Sequence, residues 1–171
     1  MTEYGQLLAS RLEMANVEAF LEMISHSEGT ANYQNNDPYK VIVGSTPNHP
    51  DLFTDFSDHP RKLVQLSATL KSDAAGRYQI MSFTFDSAKH TLLLPDFSPQ
   101  SQDIIALLLF SQCNALADVE EGRFYTAIKK VAHIWASLPG AGYGQHENNM
   151  QLLVNAYNGA GGTITDTENL A

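Results

Sequence analysis

Residues 16–30, NVEAFLEMISHSEGT, carry the clearest helical pattern in the chain. Apolar side chains recur there at the three- and four-residue spacing of one helix face. They are Val17, Phe20, Leu21 and Ile24. Asn16 is a suitable N-cap, Glu18 in the first turn would face the positive end of the helix dipole, and Gly29 is a suitable terminator. The segment therefore predicts an amphipathic helix that starts after Asn16 and ends at Gly29.

Glu28 lies on the apolar side of this predicted helix. It follows Val17 by eleven positions, or three helical turns, and so stays in line with the apolar stripe. The negative end of the dipole and partial desolvation both disfavour the ionised form, which raises the expected pKa. A carboxylic acid that keeps its proton near neutral pH suits general-acid catalysis. A glutamate in a last helical turn is also commonly a frayed surface residue, so the position alone leaves both interpretations open.

Composition favours one globular domain over residues 1–171, with a polar tail from about residue 161. The net charge is −9 with only ten lysines and arginines, which argues against nucleic-acid binding. No signal-peptide pattern or membrane-spanning segment is found, and the single cysteine permits synthesis in a reducing cytosol. The single cysteine, Cys113, is expected to be a buried thiol. The six histidines lack paired ligand spacing, so no metal or other cofactor is predicted.

The rest of the chain predicts an α+β fold. Residues 32–60 are rich in proline, asparagine and aspartate around a short extended run at 39–43, which indicates a loop-rich lobe with a small sheet. Further helical patterns begin near residues 98, 124 and 147. Trp135, near the end of the helix predicted at 124–137, is expected in the core. Residues 138–144 hold three glycines and are expected to form a shaped loop.

Several blocks of the sequence resemble one family closely. They are SEGT at 27–30, LFTDFSDHPRKLV at 52–64, AGRYQ at 75–79, DFSP at 96–99 with SQD at 101–103, and IWASLPGAGYGQ at 134–145. Together they resemble the lambda-type endolysins, which are lytic transglycosylases of the lysozyme-like superfamily. The similarity spans about residues 20–162 and weakens around 32–38. It implies a lysozyme-like fold, with a mostly helical lobe, a small β-sheet lobe and the cleft between them.

The resemblance also implies a reaction and a cellular setting. Glu28 would protonate the oxygen that links N-acetylmuramic acid to N-acetylglucosamine, and then deprotonate the muramyl hydroxymethyl group, leaving a 1,6-anhydromuramyl end. No metal or activated water is needed for these steps. The expected partner is a membrane-permeabilising holin, which would release a monomeric enzyme to the murein layer in the periplasm. Peptidoglycan is acidic, so the charge of this chain would oppose its approach.

Seven residues are predicted to bind substrate. Gln79 suits an N-acetyl group, Tyr78 offers an aromatic face to a sugar ring, and Tyr143 resembles the family's site tyrosine. Asp55 corresponds to the sheet lobe that lines the cleft, although a surface-turn carboxylate fits equally well. The other predicted contacts are Thr30, Arg77 and Gln145.

Two other functions remain open at the level of sequence. A hydrolytic lysozyme would need a second carboxylate, for which Asp37, Asp55 and Asp58 are candidates. Asp37 follows Glu28 by nine positions, as in T-even phage lysozymes, but the threonine expected six positions later is Val43, and a turn residue before Pro38 is an equal interpretation. A non-catalytic glycan-binding module is the third possibility.

Overall fold

The computed structural model describes residues 1–33, 37–144 and 147–168. Within these ranges the chain is mostly helical. The α-helices are α1 (Glu3–Ala9), α2 (Ala15–Ser27), α3 (Ser82–Leu92), α4 (Pro99–Gln112), α5 (Leu116–Glu120), α6 (Phe124–Val131) and α7 (Met150–Gly159). Short 3-10 helices cover Thr30–Asn32 and Pro38–Lys40, and the strands are β1 (Val64–Gln65) and β2 (Lys71–Ser72).

The helix α2 forms the centre of the hydrophobic core. Phe20 is fully buried, and its ring packs edge-on against Phe110 at 5.3 Å, with the rings of Phe124 and Tyr157 slightly farther away. Burial of one such aromatic side chain contributes about 1.5–3 kcal/mol to stability. The predicted apolar face of α2 is therefore confirmed, and it fixes the position of the residue that follows the helix.

The predicted N-cap of α2 is wrong. The helix begins at Ala15, with Met14 at the cap position, and no side chain bonds the free amides there. Asn16 lies inside the first turn, where its Nδ2 donates to the Glu120 carbonyl at 3.1 Å and its Oδ1 accepts from the Thr163 amide at 2.9 Å. A residue type that caps helices is used here for tertiary contacts, which join α2 to the end of α5 and to the segment after α7.

That segment is part of the predicted polar tail, and its first residues are attached to the helices. The Asp166 carboxylate accepts from the backbone amides of Tyr125 at 3.2 Å and Thr126 at 2.9 Å. These two amides lie in the first turn of α6, where the helix itself provides no acceptor. Asp166 therefore supplies the capping of α6 from a distant part of the sequence.

The small lobe is built from the segment between α2 and α3. β1 and β2 pair antiparallel, with Val64 opposite Ser72. Isolated bridges extend the pairing, and one of them joins Ile42 to Ala75. A loop-rich lobe with a small sheet is confirmed, but its bounds were wrong: both strands lie after residue 60, outside the predicted range 32–60, and residues 41 and 42 form only isolated bridges.

The later helices differ from the predictions at their ends. α4 starts at Pro99 after Ser98, as predicted. α6 ends at Val131, so the buried Trp135 lies in the loop after the helix. α7 starts at Met150 with Asn149 as its N-cap, not at 147. Cys113 is partly buried, and this burial raises the pKa of its thiol. None of the helices in the described ranges is long and apolar enough to cross a membrane.

Candidate active site

Glu28 is the first residue after α2. Its amide still donates to the Ile24 carbonyl at 2.9 Å, so the backbone of Glu28 is held by the last turn of the helix. Gly29 then adopts a φ of 76°, a left-handed conformation that glycine reaches without steric cost, and turns the chain into the small lobe. The predicted helix end is thus confirmed, and it places the carboxyl where the two lobes meet.

The Glu28 carboxyl borders a cleft of about 300 Å³. The side chains that share this cleft come from both lobes and are mostly apolar. They are Val43, Leu66, Leu70, Lys71, Ser72, Ala74, Gln79, Met81, Ile134, Trp135 and Ala136. Burial among these groups raises the pKa of Glu28 from its ordinary 4.5 to about 7. Near neutral pH, the carboxyl is therefore present in both its protonated and its ionised form.

One hydrogen bond opposes this rise in pKa. Ser137 Oγ donates to Glu28 Oε1 at 2.5 Å, which favours the ionised form. Ser137 is itself 2.7 Å from Ser27 Oγ, and Asn148 Nδ2 donates to Ser27 Oγ at 3.1 Å. Nothing in the sequence marks these three side chains as neighbours of the site. Ser137 is 109 positions from Glu28 and no spacing signals that contact, although it directly precedes the predicted shaped loop.

Gln79 lies in the same cleft as Glu28, as the sequence predicted for a site residue. Its Nε2 donates to the carbonyls of Gly76 at 2.9 Å and Val41 at 3.3 Å, and its backbone has a φ of 49°. Because both neighbours are acceptors, the orientation of the amide is fixed. Its Oε1 has no hydrogen-bond partner within the described residues and is free to accept one from a ligand.

Tyr143 lies beside an adjoining hollow of about 280 Å³, which shares Gln79, Met81 and Ile134 with the Glu28 cleft. Its ring is 57% exposed, and its hydroxyl donates to the His133 carbonyl at 2.7 Å. The two hollows are therefore neighbours along one elongated surface, with Gln79 between Glu28 and Tyr143.

The loop that carries Tyr143 is held in shape by Glu147. Its carboxylate accepts from the amides of Gly140 at 2.9 Å and Gly142 at 2.8 Å, and these bonds lower the pKa of Glu147. Both glycines have positive φ. The predicted shaped loop at 138–144 is confirmed. Gln145, another predicted substrate contact, lies outside the described residues.

Two predicted substrate contacts are buried. Tyr78 has 0% exposure and donates from its hydroxyl to Asp103 Oδ1 at 2.6 Å, so its ring face is closed to a sugar. Thr30 is 1% exposed, and its hydroxyl donates to the Arg77 carbonyl at 2.6 Å. The prediction that they contact substrate is wrong in this conformation, because each hydroxyl is used inside the protein.

Arg77 also has a structural role in place of the predicted one. Its guanidinium pairs with Glu22 of α2, donates to the Tyr39 hydroxyl at 2.8 Å and stacks over the rings of Tyr39 and Tyr78. Tyr39 and Tyr78 both donate to Asp103 on α4. These five side chains, here called the Arg77–Asp103 network, join the small lobe to α2 and α4. Arg77 does not line the Glu28 cleft.

The candidate second carboxylates lie outside the Glu28 cleft. Asp55 is exposed, accepts from the amide and hydroxyl of Ser57, and borders a separate hollow formed by residues 52–60, so its predicted place in the cleft is wrong. Asp37 caps a 3-10 helix by accepting from the Tyr39 amide at 3.0 Å, which confirms the turn interpretation. Asp58 pairs with Arg61 at 3.0 Å. Among the described residues, Glu28 is the one carboxylate that lines this cleft.

No cluster of three or more metal-ligating side chains occurs in the part of the chain that the structure describes. The polar groups that line the cleft are thus one proton-carrying carboxyl, one amide, one lysine and one serine hydroxyl, among mostly apolar walls. This set suits proton transfer to a neutral, oxygen-rich ligand.

Comparisons with known proteins agree with this architecture. The profile of a family described as endolysin matches residues 18–164. The chain is 47% identical over 154 residues to the endolysin of Escherichia phage lambda, covering 88% of this chain and 94% of the relative. It is 44% identical to the endolysin of Escherichia phage P2, covering 86% and 93%.

Solved structures give the same result. Bacteriophage lambda lysozyme complexed with a chitohexasaccharide aligns with a TM-score of 0.82 at 46% identity, covering 88% of this chain and 97% of that one. Another structure of the lambda lysozyme aligns with a TM-score of 0.78 at 45% identity and the same coverage. The predicted α+β, lysozyme-like fold is confirmed.

Proposed function

The chain belongs to the endolysin family, and we propose that it degrades peptidoglycan as a lytic transglycosylase with Glu28 as its catalytic acid and base. The observation that carries this proposal is the composition of the cleft. Glu28 has a pKa raised to about 7 by burial, and no second carboxylate lines the cleft among the described residues. A hydrolase of the usual kind places two carboxylates across the scissile bond, one of which activates water or attacks the sugar.

The proposed reaction uses one side chain twice. Protonated Glu28 donates its proton to the oxygen of the β-1,4 bond between N-acetylmuramic acid and N-acetylglucosamine, and that bond to the anomeric carbon breaks. The ionised carboxylate then takes the proton of the muramyl C6 hydroxyl while that oxygen bonds to the anomeric carbon. The products are a free 4-hydroxyl and a 1,6-anhydro ring. An internal nucleophile of this kind benefits from a high effective concentration.

Gln79 and Tyr143 are the proposed substrate-binding residues. The unpartnered Oε1 of Gln79 would accept from the N–H of an N-acetyl group, and the exposed ring of Tyr143 would pack against a sugar face. The lambda lysozyme structure that aligns with this chain is described as a complex with a chitohexasaccharide, a chain of N-acetylated sugars. This supports an oligosaccharide site along the surface from Glu28 to Tyr143.

Product analysis tests the proposal. Purified murein is digested, and the masses of the released fragments are determined by mass spectrometry. We expect muramyl ends that are lighter by one water molecule than reducing ends. Reducing muramic ends would contradict the proposal and indicate a hydrolase. Glycan binding without any cleavage would contradict it too.

The cellular role follows from the same proposal. We propose that the enzyme is made in the host cytoplasm, reaches the murein in the periplasm after a holin has permeabilised the membrane, and causes lysis there. Cells that express the chain alone should stay intact and should lyse promptly once chloroform or a holin opens the membrane. Lysis at the same rate without permeabilisation would contradict the need for such a partner.

A further inference from the structure

A chain of hydrogen bonds ends at one oxygen of the Glu28 carboxyl. Asn148 Nδ2 lies 3.1 Å from Ser27 Oγ, Ser27 Oγ lies 2.7 Å from Ser137 Oγ, and Ser137 Oγ lies 2.5 Å from Glu28 Oε1. Ser27 is 7% exposed, and the outer end of this chain, at Asn148, borders a hollow of about 840 Å³. The two hydroxyls are each able to donate or accept, and the direction of the chain has to be set by its outer end.

Asn148 sets that direction. Its Nδ2 also lies 2.9 Å from the Ser27 carbonyl and 3.2 Å from the Ser137 carbonyl. Both are acceptors only, so the amide nitrogen, and not the amide oxygen, must face them. This nitrogen carries two hydrogens, and one of them goes to the Ser27 carbonyl. The Ser137 carbonyl already accepts from the Asn148 backbone amide at 2.7 Å, so the second hydrogen is available to Ser27 Oγ. Ser27 is then left to donate its hydrogen to Ser137, and Ser137 to donate to Glu28.

The opposite direction would leave a hydrogen without an acceptor. If Glu28 carried its proton on Oε1, it would donate to Ser137, and Ser137 would donate to Ser27. The Ser27 hydrogen would then have no acceptor in the described residues and would point toward the Asn148 amide. A buried donor without a partner is unfavourable. The other carboxyl oxygen, Oε2, has no hydrogen-bond partner in the described part of the chain.

We propose that Ser137 is a positioning residue that, with Ser27 and Asn148 behind it, keeps Glu28 Oε1 as an acceptor and assigns the catalytic proton to Oε2. This proposal rests on the proposed function, because it specifies which atom of Glu28 performs both proton transfers. Oε2 gives its proton to the glycosidic oxygen and later receives the proton of the C6 hydroxyl. The Ser137 bond to Oε1 is kept throughout, so the carboxylate does not rotate between the two steps.

The test is a pH titration of the protein without substrate. The ionisation of Glu28 is monitored through the carbon NMR signal of its carboxyl group in protein that carries labelled glutamate. The Glu28→Gln variant assigns the signal. In Ser137→Ala we expect the titration midpoint of the Glu28 carboxyl to rise by about one pH unit, because the carboxylate loses a hydrogen-bond donor. In Ser27→Ala the rise should be smaller, because Ser137 still donates to Glu28. Ser137→Thr keeps the hydroxyl and should restore the original midpoint.

Ser111→Ala is the matched control, since it removes an exposed serine hydroxyl that bonds Tyr4 at 2.6 Å. Its midpoint should equal that of the unmodified protein. On soluble glycan strands, Ser137→Ala should lower kcat at least tenfold with little change in KM, and shift the alkaline limb of the rate profile upward. An unchanged midpoint in Ser137→Ala, or a larger shift in Ser27→Ala than in Ser137→Ala, would overturn the proposal.

The titration separates this inference from the proposed function. It is measured without substrate and does not depend on the reaction catalysed. If murein digestion gave reducing ends while the midpoints moved as expected, the transglycosylase reaction would be wrong and the orientation of the carboxyl would stand. If anhydro ends formed and the midpoints did not move, the reaction would stand and the role of Ser137 would be wrong.

Discussion

Two carboxyls in this protein are buried where the lobes meet, and they differ in the hydrogen-bond partners that surround them. Glu28 and Asp103 both have a pKa raised by burial. Asp103 accepts from two tyrosine hydroxyls and faces Arg77, so its oxygens are occupied. Glu28 has one donor, Ser137, and faces an open cleft. A buried carboxyl whose oxygens all have partners, such as Asp103, stabilises the junction of the lobes. A buried carboxyl with one oxygen free, such as Glu28, can exchange a proton with a ligand.

The largest expected effect comes from Glu28 itself. Glu28→Gln keeps the size of the side chain and removes its ability to exchange a proton. We expect lysis and murein cleavage to fall at least 10²–10⁴-fold, about the contribution of general acid–base catalysis, with glycan binding largely retained. Glu18→Gln, an exposed glutamate on the same helix, is the control and should be fully active. Residual activity near that of the control would contradict a catalytic role for Glu28.

The same substitution should change how stability depends on pH. The pKa of Glu28 is about 7 in the folded protein and about 4.5 as an ordinary value, so the folded state binds this proton more tightly. Its contribution to stability is present at low pH and is lost as pH rises from about 4.5 through 7. Above pH 7, Glu28→Gln should therefore be more stable than the unmodified protein, by up to about 3 kcal/mol.

Urea unfolding at pH 5 and pH 8 measures this difference. We expect the advantage of Glu28→Gln to be small at pH 5 and clear at pH 8. An equal difference at both pH values would mean that the Glu28 carboxyl is solvated and that its pKa is ordinary.

Substitutions in the Arg77–Asp103 network should lower the stability of the protein without changing substrate binding. Tyr78→Phe removes a buried hydroxyl that donates to Asp103, and we expect a loss of about 1–3 kcal/mol in the free energy of unfolding. The KM of the folded variant should stay unchanged. Tyr143→Phe removes an exposed tyrosine hydroxyl and should cost less than about 0.5 kcal/mol. A raised KM in Tyr78→Phe would restore Tyr78 as a substrate contact.

Substitution of Tyr143 should affect glycan binding and not stability. Its ring is 57% exposed beside the cleft, so Tyr143→Ala should leave the unfolding free energy nearly unchanged and weaken glycan binding about tenfold, or about 1.4 kcal/mol. The affinity for a chitooligosaccharide is measured by calorimetry, with both proteins carrying Glu28→Gln so that the ligand is not cleaved. Tyr4→Ala, an exposed tyrosine on α1, is the control. Equal affinity in the two variants would contradict a role for Tyr143 in binding.

The sequence was most informative where the signal is local. The stripe on α2, the left-handed Gly29 and the glycine loop before Gln145 all depend on neighbouring residues, and the pKa of Glu28 followed from its place on that stripe. Asn16 shows the limit, because its residue type fits a cap as well as the tertiary contacts that it makes.

Tyr78, Arg77 and Thr30 were misassigned for a different reason. Aromatic, guanidinium and hydroxyl groups recognise sugars, and the same groups satisfy one another in a buried junction. Only the packing of the lobes decides between these uses. Ser137 was missed because its contact with Glu28 joins two segments that are 109 positions apart.

The source of the new oxygen at the cleaved end tests the central claim most directly. Murein is digested in water enriched in heavy oxygen, and the muramyl ends are analysed by mass spectrometry before any exchange at reducing ends. A lone Glu28 that acts without water predicts anhydro ends carrying no heavy oxygen. Reducing ends that each carry one heavy oxygen would show that water is the nucleophile, and would contradict the account.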